Sequence, residues 1–251
     1  MRARPLWRET LTASNVAPKA DNGVRYPVIK SPMLDAAPKT ENPRRWRDSK
    51  QLKTENLCNG MQRICVYCGS SPGFDPCYLA MAQRLGQVLV DQNYELVYGG
   101  AAVGLMGRVA DTVLRAGGVV TGVIPKALVH KVAHRGLTAL HVVDSMHERK
   151  TMMFNLADAF IALPGGFGTV EEAAELLTWA QLGLHTKPCG VINVAGYFDL
   201  LLAFLDHAVA QGFMQPAHRA MLLVAATPEE LLLQMQAYTA PVVEKWVAPQ
   251  K

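Results

Sequence analysis

The sequence predicts an α/β fold: a mostly parallel sheet covered by helices on both faces. Three observations carry the prediction. From Met61 onward, short apolar runs alternate with longer amphipathic stretches, the order of a sheet whose strands are joined by crossover helices. Runs such as Ala159-Phe-Ile-Ala-Leu163 are continuously apolar, as strands buried on both faces require. Glycines follow several of these runs, at Gly69, Gly99 and Gly165, on what should be one rim of the sheet.

The elements follow in order. Arg63–Tyr67 is an apolar strand, left through the turn Gly69-Ser-Ser-Pro-Gly73 into an amphipathic helix over residues 77–92. Residues 95–98 form the next strand, ending at Gly99-Gly100, and a helix over 105–116 leads to a strand over 119–124. A short strand over 139–142 precedes Ser145-Met-His-Glu148, a capping-box pattern that opens a helix through Arg149, Lys150, Met153 and Leu156. Strand 159–163 leads into a helix beginning at Thr169, followed by strand 190–194. Helices over 198–211 and 228–238 flank a short strand over 221–224. With right-handed connections this is a doubly wound, Rossmann-like arrangement, and a ligand belongs beyond the carboxyl ends of the strands, near a switch in strand order.

The stretch Leu163-Pro-Gly-Gly-Phe-Gly-Thr-Val-Glu-Glu172 says most about function. Glycines at a strand-to-helix turn let the backbone approach a ligand closely. The helix start adds oriented N–H groups and partial positive charge, which favour a phosphate. Glu171 and Glu172 then fall one turn inside that positive end. Thr169-x-x-Glu172 also fits a capping box; the two roles are compatible, with one carboxylate capping while the other faces the ligand. A plain cap, however, does not need three preceding glycines.

Arg149 and Lys150 lie near the start of their helix, where cations oppose the macrodipole by ~0.3–1 kcal/mol each. A solvated charge pair is the ordinary explanation, and a nearby phosphate loop makes anion recognition the better one. The spacing Gly-Gly-x-x-x-Gly-x-x-Gly over residues 99–107 departs from the dinucleotide fingerprint. The acidic ribose-binding residue expected after the next strand is replaced by Pro125-Lys126, which disfavours a nicotinamide oxidoreductase.

Met146-His-Glu-Arg-Lys150 followed by Pro164-Gly-Gly-Phe-Gly-Thr-Val-Glu-Glu172 resembles the LOG ("lonely guy") family of cytokinin riboside 5′-monophosphate phosphoribohydrolases. The resemblance runs from Met61 to about Tyr238 and includes Ile64-Cys-Val-Tyr-Cys-Gly-Ser-Ser71, Tyr98-Gly-Gly100 and Thr178-Trp-Ala-Gln-Leu-Gly183. It implies hydrolysis of the N-glycosidic bond of an N6-modified adenosine 5′-monophosphate to free base and ribose 5-phosphate, with no metal or cofactor. It also implies Arg149 and Glu172 as the catalytic pair. Lys150, Gly166, Phe167, Gly168, Thr169, Val170 and Thr178 are then substrate-contacting positions, with Gly165 and Glu171 their neighbours. Gly69, Ser70, Gly99 and Gly100 join them from the other strand exits. Family members have often been labelled lysine decarboxylases, a label this chemistry does not support. The chain departs from the family at Lys131, where a substrate-contacting Glu is usual. A broader AMP nucleosidase in nucleotide salvage and a non-catalytic nucleotide or molybdenum-cofactor carrier are the alternative readings.

Composition bounds the rest. Among 251 residues no apolar run is long enough to cross a membrane as a helix. Residues 1–60 carry 12 Lys/Arg against 6 Asp/Glu, and residues 61–251 carry 13 against 15. The excess positive charge therefore belongs to the first segment, and the catalytic domain expected over 61–251 has no general basic character for nucleic acid. Residues 1–60, rich in Pro and Arg and without periodicity, read as a disordered or loosely attached extension, a targeting or interaction arm, or a segment preceding a natural start at Met61. The five cysteines (Cys58, Cys65, Cys68, Cys77 and Cys189) are odd in number and read as free thiols of a cytoplasmic protein. Cys65-x-x-Cys68 lacks a second pair at zinc spacing and reads as packing, so no metal site is expected. Met152, Met153, Leu176, Leu177 and Leu182 belong to the core or to a subunit face. The resemblance implies a homodimer or higher homo-oligomer, with neither nucleic acid nor membrane as partner.

Overall fold

The structure, a computed structural model, describes residues 60–241. The extension expected over residues 1–60 and Cys58 lie, apart from Gly60, outside the described residues. Seven strands and eight α-helices follow one another: β1 (Arg63–Tyr67), α1 (Pro76–Asp91), β2 (Glu95–Tyr98), α2 (Gly104–Arg115), β3 (Val120–Pro125), α3 (Lys126–Val132), β4 (Ala139–Val143) and α4 (Met146–Leu156). The second half comprises β5 (Ala159–Ala162), α5 (Phe167–Gln181), β6 (Cys189–Ile192), α6 (Asp199–Ala210), α7 (Pro216–Arg219), β7 (Leu222–Ala225) and α8 (Pro228–Ala237).

The strands form one sheet in the order β4-β3-β2-β1-β5-β6-β7. Every neighbouring pair in it is parallel, so the mostly parallel sheet expected is wholly parallel among the described residues. The chain builds outward from β1 to β4, then returns to the other side of β1 with β5 and builds outward again. The reversal places the switch point between the carboxyl ends of β1 and β5, where an open α/β sheet leaves a crevice.

Alternation along the strands divides the core. Ile64 and Val66 of β1 pack with Leu85 and Leu89 of α1, Val109 and Val113 of α2, and Leu231 and Leu232 of α8 on one face. Cys65 and Tyr67 pack with Met153 of α4, Leu176 of α5 and Phe160 of β5 on the other. A third cluster joins Ala162, Val191 and Leu222 of the sheet to Leu177 of α5 and Leu201, Leu202 and Leu205 of α6. Met153 and Leu176 are thus core, whereas Leu182 is exposed.

The same alternation separates the Cys65-x-x-Cys68 pair, since Cys65 lies in one core face and Cys68 in the other. Burial raises both thiols and carries Cys189 up to about 12, so all three are protonated and unreactive at neutral pH.

Helix starts are partly local chemistry. The Asp75 carboxylate accepts from the Cys77 amide at 2.8 Å, with Pro76 at the first helical position. At α4 the Ser145 half of the expected capping box forms, the Glu148 amide donating to Ser145 Oγ at 3.1 Å, while Glu148 Oε2 accepts at 2.7 Å from the amide of Asp144, one residue before the cap, in place of the Ser145 amide. Two helices were not foreseen. α3 starts directly after Pro125, with no intervening turn, and none of its residues is buried, so it leaves no apolar stripe to read. α7 is four residues long.

Candidate functional site

The switch point is closed by backbone. The Gly69 amide donates to Pro164 O at 2.9 Å, and the Leu105 amide donates to Gly69 O at 3.0 Å. A Cβ on Gly165 would lie 2.1 Å from Thr169 Oγ1 and 2.8 Å from the Gly69 amide nitrogen, so the β1 and β5 exits can meet only if Gly165 has no side chain. Gly104, at φ +57°, would bring a Cβ within 2.3 Å of the Ser70 carbonyl carbon. The exits around Gly69, Gly104 and Gly165 therefore interlock.

From that junction α5 rises with Gly166 as its N-cap and no side-chain cap. The capping box expected at Thr169 and Glu172 does not form: Thr169 is buried inside the first turn beside Gly165, and Glu172 turns to Arg149 instead. Cβ atoms on Gly166 and Gly168 would meet nothing within 4 Å, and Phe167 is 97% exposed. The loop tip thus presents open space in front of first-turn amides, which have no intrahelical acceptor. That arrangement suits an anion.

One helical turn on, Glu172 and Arg149 are 7% and 8% exposed. Arg149 Nη1 donates to Glu172 Oε1 at 2.6 Å, and its Nε donates to Val123 O at 3.2 Å. The guanidinium crosses from α4 beneath the end of β3 to α5, and it passes over Gly99, where a Cβ would stand 2.1 Å from Nη2. Gly99 is therefore needed to admit Arg149. Burial raises the Glu172 carboxyl above its ordinary value of 4.5, while the Arg149 charge and hydrogen bond pull it back.

Lys150, beside Arg149, is paired with Glu171 and lies 3.0 Å from Glu175 Oε2. Burial disfavours its charge, yet the two carboxylates outweigh that and hold the amine above its usual value. Placing these cations near the start of α4 is accounted for by carboxylates of α5, without an anion. Two cations face three acids, so a phosphate would depend chiefly on the amides of the loop.

Other expected residues lie apart. Gly100, at φ +74°, is buried, and a Cβ there would press on Ile124 and Leu140 at 3.2 Å; the structure gives it a packing reason. Val170 and Thr178 line an apolar cavity of about 170 Å³ between α5 and α6; Thr169 reaches its edge from the loop, and Glu171, Glu172 and Glu175 take no part in it. Thr178 donates to Ala174 O at 2.7 Å and stands nine residues, roughly 13 Å, along the helix from Thr169. Within one chain it does not reach the loop. Lys131 is exposed on α3, whose end is tied to the β2 exit by the amides of Ala102 (to Val132 O, 2.8 Å) and His134 (to Gly100 O, 2.9 Å).

Sequence reasoning missed Glu175 and Tyr197. Glu175 follows Glu171 by four residues, a helical spacing that could have placed both on one cation. Tyr197 Oη donates to Gly165 O at 2.6 Å from the loop between β6 and α6, a contact with no signature in local sequence.

The family profile described as "Possible lysine decarboxylase" matches residues 106–235. The cytokinin riboside 5′-monophosphate phosphoribohydrolase LOG of Oryza sativa subsp. japonica is 48% identical over 178 residues, which is 70% of this chain and 74% of the relative. A cytokinin riboside 5′-monophosphate phosphoribohydrolase of Arabidopsis thaliana is 48% identical over 185 residues, 73% of this chain and 85% of the relative. Among solved structures, the molybdenum cofactor binding protein from Rippkaea orientalis has a TM-score of 0.55 at 23% identity, over 70% of this chain and 96% of that one. The molybdenum cofactor carrier protein from Chlamydomonas reinhardtii has a TM-score of 0.53 at 19% identity, over 71% and 99%. At such identities these two structures share the fold alone.

Proposed function

The chain belongs to the LOG family of cytokinin riboside 5′-monophosphate phosphoribohydrolases, and from that premise we propose that it hydrolyses the N-glycosidic bond of N6-modified adenosine 5′-monophosphates to the free base and ribose 5-phosphate. The observation that carries the reading is the buried Arg149–Glu172 pair, one turn beyond an open glycine loop at the switch point. A carrier that only grips phosphate has no use for a buried acid there.

The proposed reaction breaks the bond between C1′ and the base nitrogen, and its electron pair leaves with the base. Positive character grows on the ribose, which a carboxylate stabilises. Glu172 supplies that charge and accepts a proton as water adds to C1′. Arg149 favours the ionised form of this buried acid, positions the nucleotide and offsets negative charge on the departing base, which then takes up a proton. The amides of Gly166, Phe167, Gly168 and Thr169 hold the 5′-phosphate, so binding energy remote from C1′ aligns the reacting centre. Lys150, held protonated between Glu171 and Glu175, orders the acidic face of α5; an amine so held is not the nucleophile of a Schiff-base decarboxylase.

The finer proposals follow from the surface. Leu200, Phe204 and Phe213 are 87%, 63% and 88% exposed on and beyond α6, and they support a homodimer face. Among the described residues no helix is long and apolar enough to cross a membrane; the buried free thiols of Cys65, Cys68 and Cys189 support the cytoplasmic setting we propose.

The test is ribose 5-phosphate release from AMP and from N6-isopentenyl-AMP by the purified protein. Preference for the modified nucleotide is expected. Equal turnover of AMP would instead mark a general nucleosidase, and no release from either would remove the hydrolase reading.

A further inference from the structure

We infer that Tyr197 is a positioning residue of the glycine loop, orienting the Gly165–Gly166 peptide so that the Gly166 amide faces the substrate phosphate; this rests on the function proposed above. Its hydroxyl donates to Gly165 O at 2.6 Å. In a trans peptide the C=O and the following N–H point in opposite directions. Holding the Gly165 carbonyl towards Tyr197 therefore turns the Gly166 N–H away from it. Gly166 itself stands at open space, since a Cβ there would meet nothing within 4 Å. The preceding carbonyl, Pro164 O, is held by the Gly69 amide at 2.9 Å. Two successive carbonyls are thus tethered in a segment whose glycines would otherwise let the peptides rotate.

Tyr197 is itself built into place. Its ring meets Phe198 edge-on at 5.1 Å and Tyr78 of α1 at 5.7 Å, fixing it from two sides. The turn that carries it is cross-braced: Asn193 Nδ2 donates to Asp199 Oδ1 at 2.7 Å, and the Phe198 amide donates to Asn193 Oδ1 at 2.8 Å. Within this turn Ala195 takes φ +49°, a left-handed conformation that a residue with a Cβ rarely adopts. Such conformations persist where the surroundings over-determine them, and they concentrate at functional sites. Tyr197 remains 43% exposed as a residue, so it is not there to fill the core.

Tyr197→Phe removes the hydroxyl and keeps both ring contacts. The KM for a nucleoside 5′-monophosphate should rise about five- to tenfold, the loss expected for one hydrogen bond. The kcat should stay within about twofold, because neither Glu172 nor Arg149 is touched. Calorimetric affinity for ribose 5-phosphate should fall by the same factor, with the thermal midpoint nearly unchanged. An unchanged affinity for ribose 5-phosphate overturns the inference, as does its absence in the unsubstituted protein, or a fall in kcat with KM unaltered. If the unsubstituted protein binds ribose 5-phosphate but releases it from no nucleotide, the proposed function fails and the calorimetric comparison still decides the role of Tyr197.

Discussion

Gly99→Ala tests whether the β2 exit exists to admit Arg149. The added Cβ would lie 2.1 Å from Arg149 Nη2 and 2.5 Å from Met106 Cε, where 3.4 Å is ordinary contact. Met106 ends in a flexible thioether and can withdraw. Arg149 cannot move freely, because its Nε is bonded to Val123 O and its Nη1 to Glu172 Oε1. The guanidinium must shift by roughly 1.3 Å, enough to break or bend a 2.6 Å hydrogen bond to Glu172. A displacement of that size at a reacting centre costs about a hundredfold in rate. The overpacking should cost about 1–3 kcal/mol of stability, leaving the protein folded at 25 °C. The assay is ribose 5-phosphate release beside a thermal unfolding curve. Turnover within twofold of the unsubstituted protein, with the fold intact, would refute the reasoning.

Three further outcomes are expected. Gly168→Ala should stabilise α5 by about 0.5–1 kcal/mol, since its Cβ meets nothing, yet raise KM by blocking the ligand's approach; calorimetric unfolding and kinetics measure the two effects separately. Lys187→Met removes the ammonium that bonds Phe154 O and Ala157 O, both at 2.7 Å, at the end of α4. It should lower stability by about 1–3 kcal/mol while sparing kcat, a split visible in parallel denaturation and turnover measurements. Glu172 must be ionised to accept a proton, and burial raises its pKa above 4.5, so kcat/KM should fall as pH drops through a midpoint above that value. A pH profile with its acid limb at or below 4.5 would contradict this.

Much of the architecture was legible because strands buried on both faces leave continuous apolar runs. β1, β2 and β5 were found this way and end within one residue of expectation. α3 was not, because none of its residues is buried and periodicity is the record of a buried face. The two capping patterns make the sharper contrast. Ser145-x-x-Glu148 and Thr169-x-x-Glu172 look alike in sequence, yet only the first forms a cap. The second fails because its helix has already begun at Phe167, which puts Thr169 inside the first turn, and because Glu172 has a buried partner, Arg149, 23 residues away. The loop glycines were legible as a group but not in their separate tasks. Gly99 yields to Arg149, Gly100 to Ile124 and Leu140, Gly165 to Thr169, and only Gly166 and Gly168 stand before open space. Each distinction depends on a side chain or segment supplied from elsewhere in the fold. Arg149 and Glu172 were singled out together by resemblance; the ion pair between them is a matter of tertiary structure.

The account rests on Glu172 acting as a carboxylate beside a separate phosphate-holding loop. Glu172→Gln keeps the size of the side chain and a hydrogen-bond acceptor for Arg149, and it removes the charge. Single-turnover release of ribose 5-phosphate from N6-isopentenyl-AMP, measured with calorimetric binding of the same nucleotide, tests the claim directly. The account predicts that release falls by a hundredfold or more, about the contribution of a general base, while binding remains within about tenfold. Undiminished release by the Gln variant would contradict it.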